Sequence, residues 1–311
     1  MKTIGMDIGT TTVCAVLTDA ETGELLDAKT LTNDAHLKSE RSWERIQNPT
    51  RILELCRQLL ADYLDCYEDV ESIGVTGAMH GILYTDKEGK AVSPLYTWQD
   101  QRGDQVNPES GMSYAKELSE ITGYAMATGF GLTTHYYNTK HGLIPEEAVS
   151  FCTIPDYVAF SIAREKAPLL HQSMAASLGV YDIQKGCFDT EAIERAGMDI
   201  RMLPQVTKEN ALCGKTAEGI PVAVSLGDNQ ASFLGSVNEE CKVLLNVGTG
   251  AQLSAYSEKI AEGENLECRP YVGDSWLLAG SALCGGYAYS LMKRFFEETG
   301  TGRGRSEETG L

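Results

Sequence analysis

The chain has 311 residues, 42% hydrophobic and 23% charged, the composition of a folded globular protein long enough for about two domains. A formal net charge of -18 argues against a surface for nucleic acid or anionic lipid. Nine cysteines without a C-x-x-C spacing argue against a disulfide framework or a zinc site. No signal-peptide pattern opens the chain, and no apolar run approaches the ~20 residues that cross a bilayer, so a cytoplasmic protein is expected.

Residues 2–31 alternate as a three-strand meander, with Asp19-Ala20-Glu21-Thr22-Gly23 as the turn between the second and third strands. Residues 32–47 are polar and read as a loop. Asn48 and Pro49 then open a helix whose apolar face is Ile52, Leu55, Leu59, Tyr63 and Leu64. Residues 71–77 form the next strand, and Gly81 to Tyr84 another. This order is the start of a mixed α/β layer.

Further along, helices are expected at 113–122, between a Ser113 cap and Gly123, at 155–164, opened by Pro155, and at 191–197. Val222 to Leu226 is an apolar strand, with Asp228 at its exit where a helix begins. Residues 242–256 read as a hairpin, Trp276 to Ala279 as a strand and Gly285 to Glu298 as a helix. Thr299 to Leu311 lacks periodicity and reads as a disordered tail. A second lobe starting near Gly235 is thin beside the first, so it reads as truncated.

One pattern occurs twice. Met6-Asp7-Ile8-Gly9-Thr10-Thr11-Thr12-Val13 is echoed by Leu245-Asn246-Val247-Gly248-Thr249-Gly250-Ala251-Gln252. Each is a β-branched run that enters a Gly-Thr turn and leaves as a second alternating run. Glycine lets the backbone approach a ligand, and rows of N–H groups bind phosphate oxygens. A single such turn is ordinarily only a turn. The pair suggests two phosphate grips, Gly9 to Thr12 and Gly248 to Gly250, one in each half of a duplicated fold.

Asp7, beside the first turn, has the position of a Mg²⁺ ligand acting directly or through water. The second copy has Asn246 there, which supplies no charge. Asp228 sits at a strand exit and helix entrance, where the positive helix end favours a carboxylate able to take a proton. A plain helix cap is the alternative. Met79-His80-Gly81 joins two strands and offers an imidazole. Trp98-Gln99-Asp100-Gln101-Arg102 packs an aromatic plane, an amide, a carboxylate and a guanidinium into five residues, a composition suited to sugars. The same segment also reads as a surface loop with an Asp–Arg pair.

Together these segments resemble the FGGY carbohydrate kinase family. The resemblance lies in Asp7-x-Gly9-Thr10-Thr11, Gly77-x-Met79-His80-Gly81, Trp98-Gln99-Asp100-x-Arg102, Gly227-Asp228-Asn229-Gln230-Ala231 and Asn246-x-Gly248-Thr249-Gly250, collinear along the chain. Within the family, Leu95 to Asp100, Thr128-Gly129-Phe130-Gly131 and Ile154-Pro155-Asp156-Tyr157-Val158 are most similar to the sedoheptulokinases, with xylulokinase-like members next. Ala78 stands where the family usually has Gln, and the Gly-rich adenosine segment of the second lobe has no counterpart.

The resemblance implies a ribonuclease-H-like fold of the actin and hexokinase type, with two lobes around a cleft. It divides the chain into a sugar-binding lobe, 1–235, a partial nucleotide-binding lobe, 236–298, and the tail, 299–311. It implies ATP-dependent phosphorylation of a ketose at a terminal hydroxyl, with Asp228 as general base. Met79, His80, Trp98, Asp100 and Asn229 would contact the sugar. Gly9, Thr10, Thr11, Thr12, Gly248, Thr249 and Gly250 would hold ATP, and Asp7 the Mg²⁺. A homodimer is compatible with it. Because the adenosine segment is missing, a sugar-binding or regulatory protein without catalysis is the alternative. An actin- or chaperone-type ATPase is a third reading, disfavoured by the segments at 77–81 and 98–102.

Overall fold

The computed structural model describes residues 1–238, 240–247, 251–261, 263, 266–282 and 286–301. The chain divides into two compact units. The first is Met1–Ser232 with Pro270–Asp274, and the second is Phe233–Arg269 with Ser275–Leu311. Among the described residues no helix is long and apolar enough to cross a membrane.

The first unit opens with the meander β1 (Lys2–Ile8), β2 (Thr12–Asp19) and β3 (Leu25–Thr32), followed by the short β4 (Ile46–Gln47), α1 (Pro49–Leu64) and β5 (Val70–Gly77). Short strands β6 (Leu83–Thr85), β7 (Leu95–Tyr96), β8 (Ser150–Cys152) and β9 (Leu169–His171) alternate with α2 (Tyr114–Thr122), α3 (Gly131–Lys140), α4 (Ile154–Ile162) and α5 (Gln172–Ser177). The small hairpin β10 (Tyr181–Asp182) and β11 (Cys187–Phe188) precedes α6 (Thr190–Arg195), β12 (Gln205–Thr207), β13 (Leu212–Lys215), β14 (Pro221–Ala223) and β15 (Leu226–Gly227). Then α7 (Asp228–Ser236) begins.

The main sheet runs β13-β14-β5-β1-β2-β3, and β15 pairs with β5 beyond β14. β1 is antiparallel to β2 and parallel to β5. The period-2 pattern sends Ile4, Met6, Ile8, Val13, Ala15, Leu17, Ile73 and Val75 to one face, where all are buried. Helices α1 and α4 cover that face. Ile52, Leu55, Leu59 and Tyr63 of α1 point into it, and Tyr63 donates its hydroxyl to Ala15 O at 3.1 Å. Each fully buried aliphatic side chain contributes about 2 kcal/mol.

The helix start expected at Asn48-Pro49 is found: the Asn48 side chain accepts from Thr50 N and Arg51 N, and Pro49 is the first helical residue. Asn48→Ala should cost about 1 kcal/mol, read as a lowered urea midpoint with an unchanged slope. Ser113 caps α2, and Gly123 ends it with a φ of 81°. The strand expected at 222–226 is broken in two, because Val224 and Ser225 leave the ladder between β14 and β15.

The second unit contains the strands β16 (Val243–Val247), β17 (Ala251–Ser257), β18 (Glu267–Pro270) and β19 (Trp276–Ala282), with the helix α8 (Gly286–Thr301). Pro270, the last residue of β18, falls in the first unit. The sheet order is β16-β17-β19-β18. The expected hairpin is present as β16 antiparallel to β17, with Val247 opposite Ala251, as Ile8 stands opposite Val13 in the first unit. Its turn, Gly248, Thr249 and Gly250, lies outside the described residues, as do residues 302–311 of the expected tail.

Candidate active site

The parallel register aligns Ile8, Gly77 and Gly227 across β1, β5 and β15. The chain leaves all three strands at this line, so Gly9, Ala78 and Asp228 emerge side by side. Two strand spacings separate β1 from β15, roughly 10 Å. Crossovers in open sheets place ligands at such strand ends.

The Gly9–Thr12 turn closes with Gly9 N–H donating to Thr12 O at 2.9 Å. Its carbonyls are tied to the scaffold. Asn33 Nδ2 donates to Gly9 O at 2.9 Å, and Gln47 Nε2 to Thr10 O at 2.8 Å. Both side chains are buried. In a trans peptide the N–H points opposite to the C=O, and the described chain has no cis bond. The N–H groups of Thr10 and Thr11 are therefore turned away from Asn33 and Gln47. Two successive outward amides beside a glycine form a concavity suited to an anion.

Trp98 reaches this turn: its Nε1–H donates to Thr10 Oγ1 at 3.2 Å, and the ring is 48% exposed. Gly9, Thr10, Ala78, Met79, Gly81, Thr97 and Trp98 line one narrow cleft. The geometry demands glycine at Gly77, with a φ of 154° and a would-be Cβ 2.4 Å from Ile8 O. Gly129 is equally confined, since its φ is 86° and a Cβ would lie 2.0 Å from Trp98 O. The Thr128–Gly131 segment thus packs against the backbone of Trp98.

His80 adopts a φ of 71°, rare for a residue with a side chain. Its N–H donates to Ser177 Oγ at 3.2 Å, and its Nδ1 lies 2.7 Å from Ser177 O. A carbonyl only accepts, so Nδ1 carries the hydrogen, and in the neutral ring Nε2 carries the lone pair. Phe130 stacks on the imidazole at 4.8 Å with parallel planes. Met79 packs on Gly227, where a Cβ would meet its Sδ at 2.6 Å, and Asn229 Nδ2 lies 3.7 Å from that sulfur.

Asp228 is exposed at the first position of α7 and accepts from Asn229 N at 2.7 Å. The approach to it is clamped. Thr76 Oγ1 donates to Leu226 O at 2.8 Å, Gly227 N–H donates to Ser173 Oγ at 3.3 Å, and Ser225 Oγ donates to the buried Asp156. Thr153 supplies Asp156 with a hydroxyl at 2.6 Å and an N–H at 3.3 Å. These hydroxyls come from four separate segments, so no local spacing in the sequence signals them.

Burial raises the Asp156 carboxyl to about 6, against 3.8 for the free group. The folded state therefore holds this proton more tightly than the unfolded chain. The stability this contributes is complete below pH 4 and is lost as pH rises through 6. Relative to Asp156→Asn, the parent should lose about 2 kcal/mol between pH 4 and 7, measured by urea unfolding across that range. A pH-independent difference would contradict this assignment.

Asp7 is exposed on β1 and lines a recess of about 270 Å³ with Cys14, Thr76, Leu226 and Ala231. Partial burial raises its pKa. A cation at the carboxylate would offset that, so the group fits a metal ligand. Among the described residues no three His, Cys, Asp or Glu side chains cluster to hold a metal, so the other ligands would be water or phosphate oxygens.

Asp100 is placed differently from a direct sugar contact. It is fully buried, and its carboxylate accepts from Arg102 Nε at 2.6 Å and N at 3.1 Å, and from Arg102 Nη2 at 3.2 Å and Arg45 N at 2.9 Å. Arg102, also buried, donates to Asn138 Oδ1 at 2.6 Å and lies 4.0 Å from the Tyr96 ring centroid. The pair anchors the loop that presents Trp98.

The structure thus brings Gly9 to Thr12, Met79, His80, Trp98, Asp228 and Asn229 around the strand ends. Gly248, Thr249 and Gly250 lie outside the described residues.

Residues 2–235 match the N-terminal domain of the FGGY family of carbohydrate kinases. The sedoheptulokinase of Mus musculus is 30% identical over 81% of this chain and 58% of its own length. A xylulose kinase of Staphylococcus xylosus is 22% identical over 94% of this chain and 63% of its own. Among solved structures, the xylulose kinase from Rhodospirillum rubrum superposes with a TM-score of 0.81 at 18% identity, covering 96% of this chain and 64% of that one. The fold is shared with these kinases, and the chain spans roughly three fifths of their length. On a family match that covers most of its residues, the chain belongs to the FGGY family of carbohydrate kinases.

Proposed function

We propose that this protein transfers the terminal phosphoryl group of ATP to a terminal hydroxyl of a ketose of the sedoheptulose or xylulose kind. The observation that supports it most is the meeting of an anion-shaped turn, an exposed tryptophan and an exposed, clamped carboxylate at one line of strand ends. The similarity to the sedoheptulokinase and xylulose kinases suggests the sugar class.

In this reading the sugar lies against Trp98. His80 Nε2 accepts from one hydroxyl, and the Asn229 amide contacts another. Asp228 takes the proton of the attacking hydroxyl as its oxygen forms the new O–P bond and ADP leaves with the electrons of the broken one. The outward amides of Thr10 and Thr11 hold phosphate oxygens, and Gly248, Thr249 and Gly250 are kept as the second candidate phosphate turn. Asp7 would hold Mg²⁺, which would supply positive charge to offset that of the transferring phosphoryl group. Asp100 acts at a distance, by fixing the Trp98 loop. Transfer of this kind depends on alignment and charge stabilisation more than on covalent chemistry.

A ketose panel with ATP tests the reading: sugar-dependent ADP formation supports it, and ATP hydrolysis indifferent to every sugar refutes it. Trp98→Ala should weaken ketose binding by about tenfold in calorimetry, because the apolar face of the sugar loses its aromatic partner. Unchanged affinity would remove Trp98 from the site. A second reading is a sugar-binding protein without transfer, which the exposed Trp98 beside the strand ends supports equally. Calorimetry that finds ketose binding and no ATP binding would select it.

A further inference from the structure

Two parts of the site are joined by one hydrogen bond. The Trp98 indole Nε1–H donates to Thr10 Oγ1 at 3.2 Å, across 88 residues of sequence. Trp98 presents the aromatic plane, and Thr10 lies in the anion-shaped turn. Both line the same narrow cleft of the first unit.

The backbones on either side are held independently. Asn33 and Gln47 fix the carbonyls of Gly9 and Thr10. Beside Trp98, Thr97 gives its N–H and its hydroxyl to Arg45 O at 3.0 and 2.9 Å, and Gly129 packs on Trp98 O. The link between the two parts is therefore made by side chains, and one of them is exposed. The indole is 48% exposed, so without a ligand water competes for its N–H and the net contribution of the bond is small. A ligand lying on the ring removes that water and restricts the broad χ2 torsion. The bond then strengthens as its surroundings become less polar.

The direction of the bond has a consequence at the turn. An indole N–H only donates, so Thr10 Oγ1 accepts, and the hydroxyl keeps its own hydrogen to give. The outward amides of Thr10 and Thr11 favour an anion there, and an anion is an acceptor for that hydrogen. Hydrogen bonds in series polarise and reinforce one another.

We propose that Trp98 couples the two ligands: a ketose on its ring orders the indole, and the indole N–H aligns the Thr10 hydroxyl toward the polyphosphate of ATP, so each ligand raises the affinity for the other. The coupling rests on the functional reading above and adds to it a role for the indole N–H on the phosphate side. It also gives selectivity, because ATP is held best when a sugar hydroxyl and not water is in place.

Calorimetry on the full chain reads the effect. Affinity for xylulose and for sedoheptulose is measured with and without the β,γ-imido analogue of ATP and Mg²⁺. Affinity for the analogue is measured with and without each ketose. The expected result, for at least one ketose, is a ratio of about fivefold, equal in both directions because coupling is reciprocal. Trp98→Phe keeps an aromatic plane and loses the N–H. It should bring the ratio to about one, whatever it does to ketose affinity by itself. Thr10→Val should do the same, and combining the two should change the ratio no further. Thr10→Ser, which keeps the hydroxyl, should preserve the ratio.

A ratio near one in the parent overturns the proposal, and so does a fivefold ratio that survives Trp98→Phe or Thr10→Val. Phosphate transfer to a ketose by a parent with a ratio near one would refute the coupling and leave the functional reading standing. Coupled binding without transfer would do the reverse.

Discussion

If the proposed transfer is right, Asp228→Asn should lower ketose-dependent ATP consumption by about a thousandfold or more while ketose affinity stays within about threefold. Both halves follow from the position of this carboxylate. It is exposed at the first residue of α7, so the change opens no cavity. Asn is as good as Asp at a helix start, so α7 keeps its N-terminus. The path of β15 is held by Thr76, Ser173 and Ser225, none of which contacts the Asp228 carboxylate in the bonds that clamp the strand. What the substitution removes is the capacity to accept a proton at one point next to Met79 and Asn229. Turnover above a tenth of the parent rate, with sugar still bound, would take the general-base role from Asp228.

The second large effect concerns stability. Asp100→Ala should cost about 3–5 kcal/mol, a fall in melting temperature of about 10 °C or more for a unit of this size. Arg102 is 1% exposed, and its charge is matched at hydrogen-bond distance by Asp100, with Glu44 farther away at 3.6 Å. Removing Asp100 leaves a buried guanidinium without its bidentate partner and frees Arg45 N. The double variant Asp100→Ala, Arg102→Met should recover part of the loss, because no orphaned charge remains. Thermal unfolding of the two single variants and the double one reads this directly. A single variant within 1 kcal/mol of the parent would contradict a structural role for the pair.

These two carboxylates show what local sequence reading reaches. Asp228 was legible because an apolar run, a glycine and a carboxylate at a helix start are neighbours in the chain. Asp100 was legible as part of a sugar-like composition, yet its burial depends on Arg45 and Asn138, which are distant in sequence. The alternative of an Asp–Arg pair describes its geometry, though in the interior and not at the surface. α3 gave no periodic signal because nearly all of it is buried, including Thr133, Thr134, His135 and Asn138, so no polar face alternates with an apolar one. The meander, the Asn48-Pro49 helix start and the repeated hairpin were legible because each is set by residues within a few positions. The clamp of Asp156, Ser173, Thr76 and Ser225 was not, since it exists only once four segments meet.

The most direct test of the central claim is transfer of label from γ-³²P-ATP to sedoheptulose and to xylulose, with Asp228→Asn alongside. The account predicts a labelled sugar phosphate from the parent chain with at least one of these ketoses, and none from the variant. Label appearing only as inorganic phosphate, or equal sugar labelling by parent and variant, would contradict it.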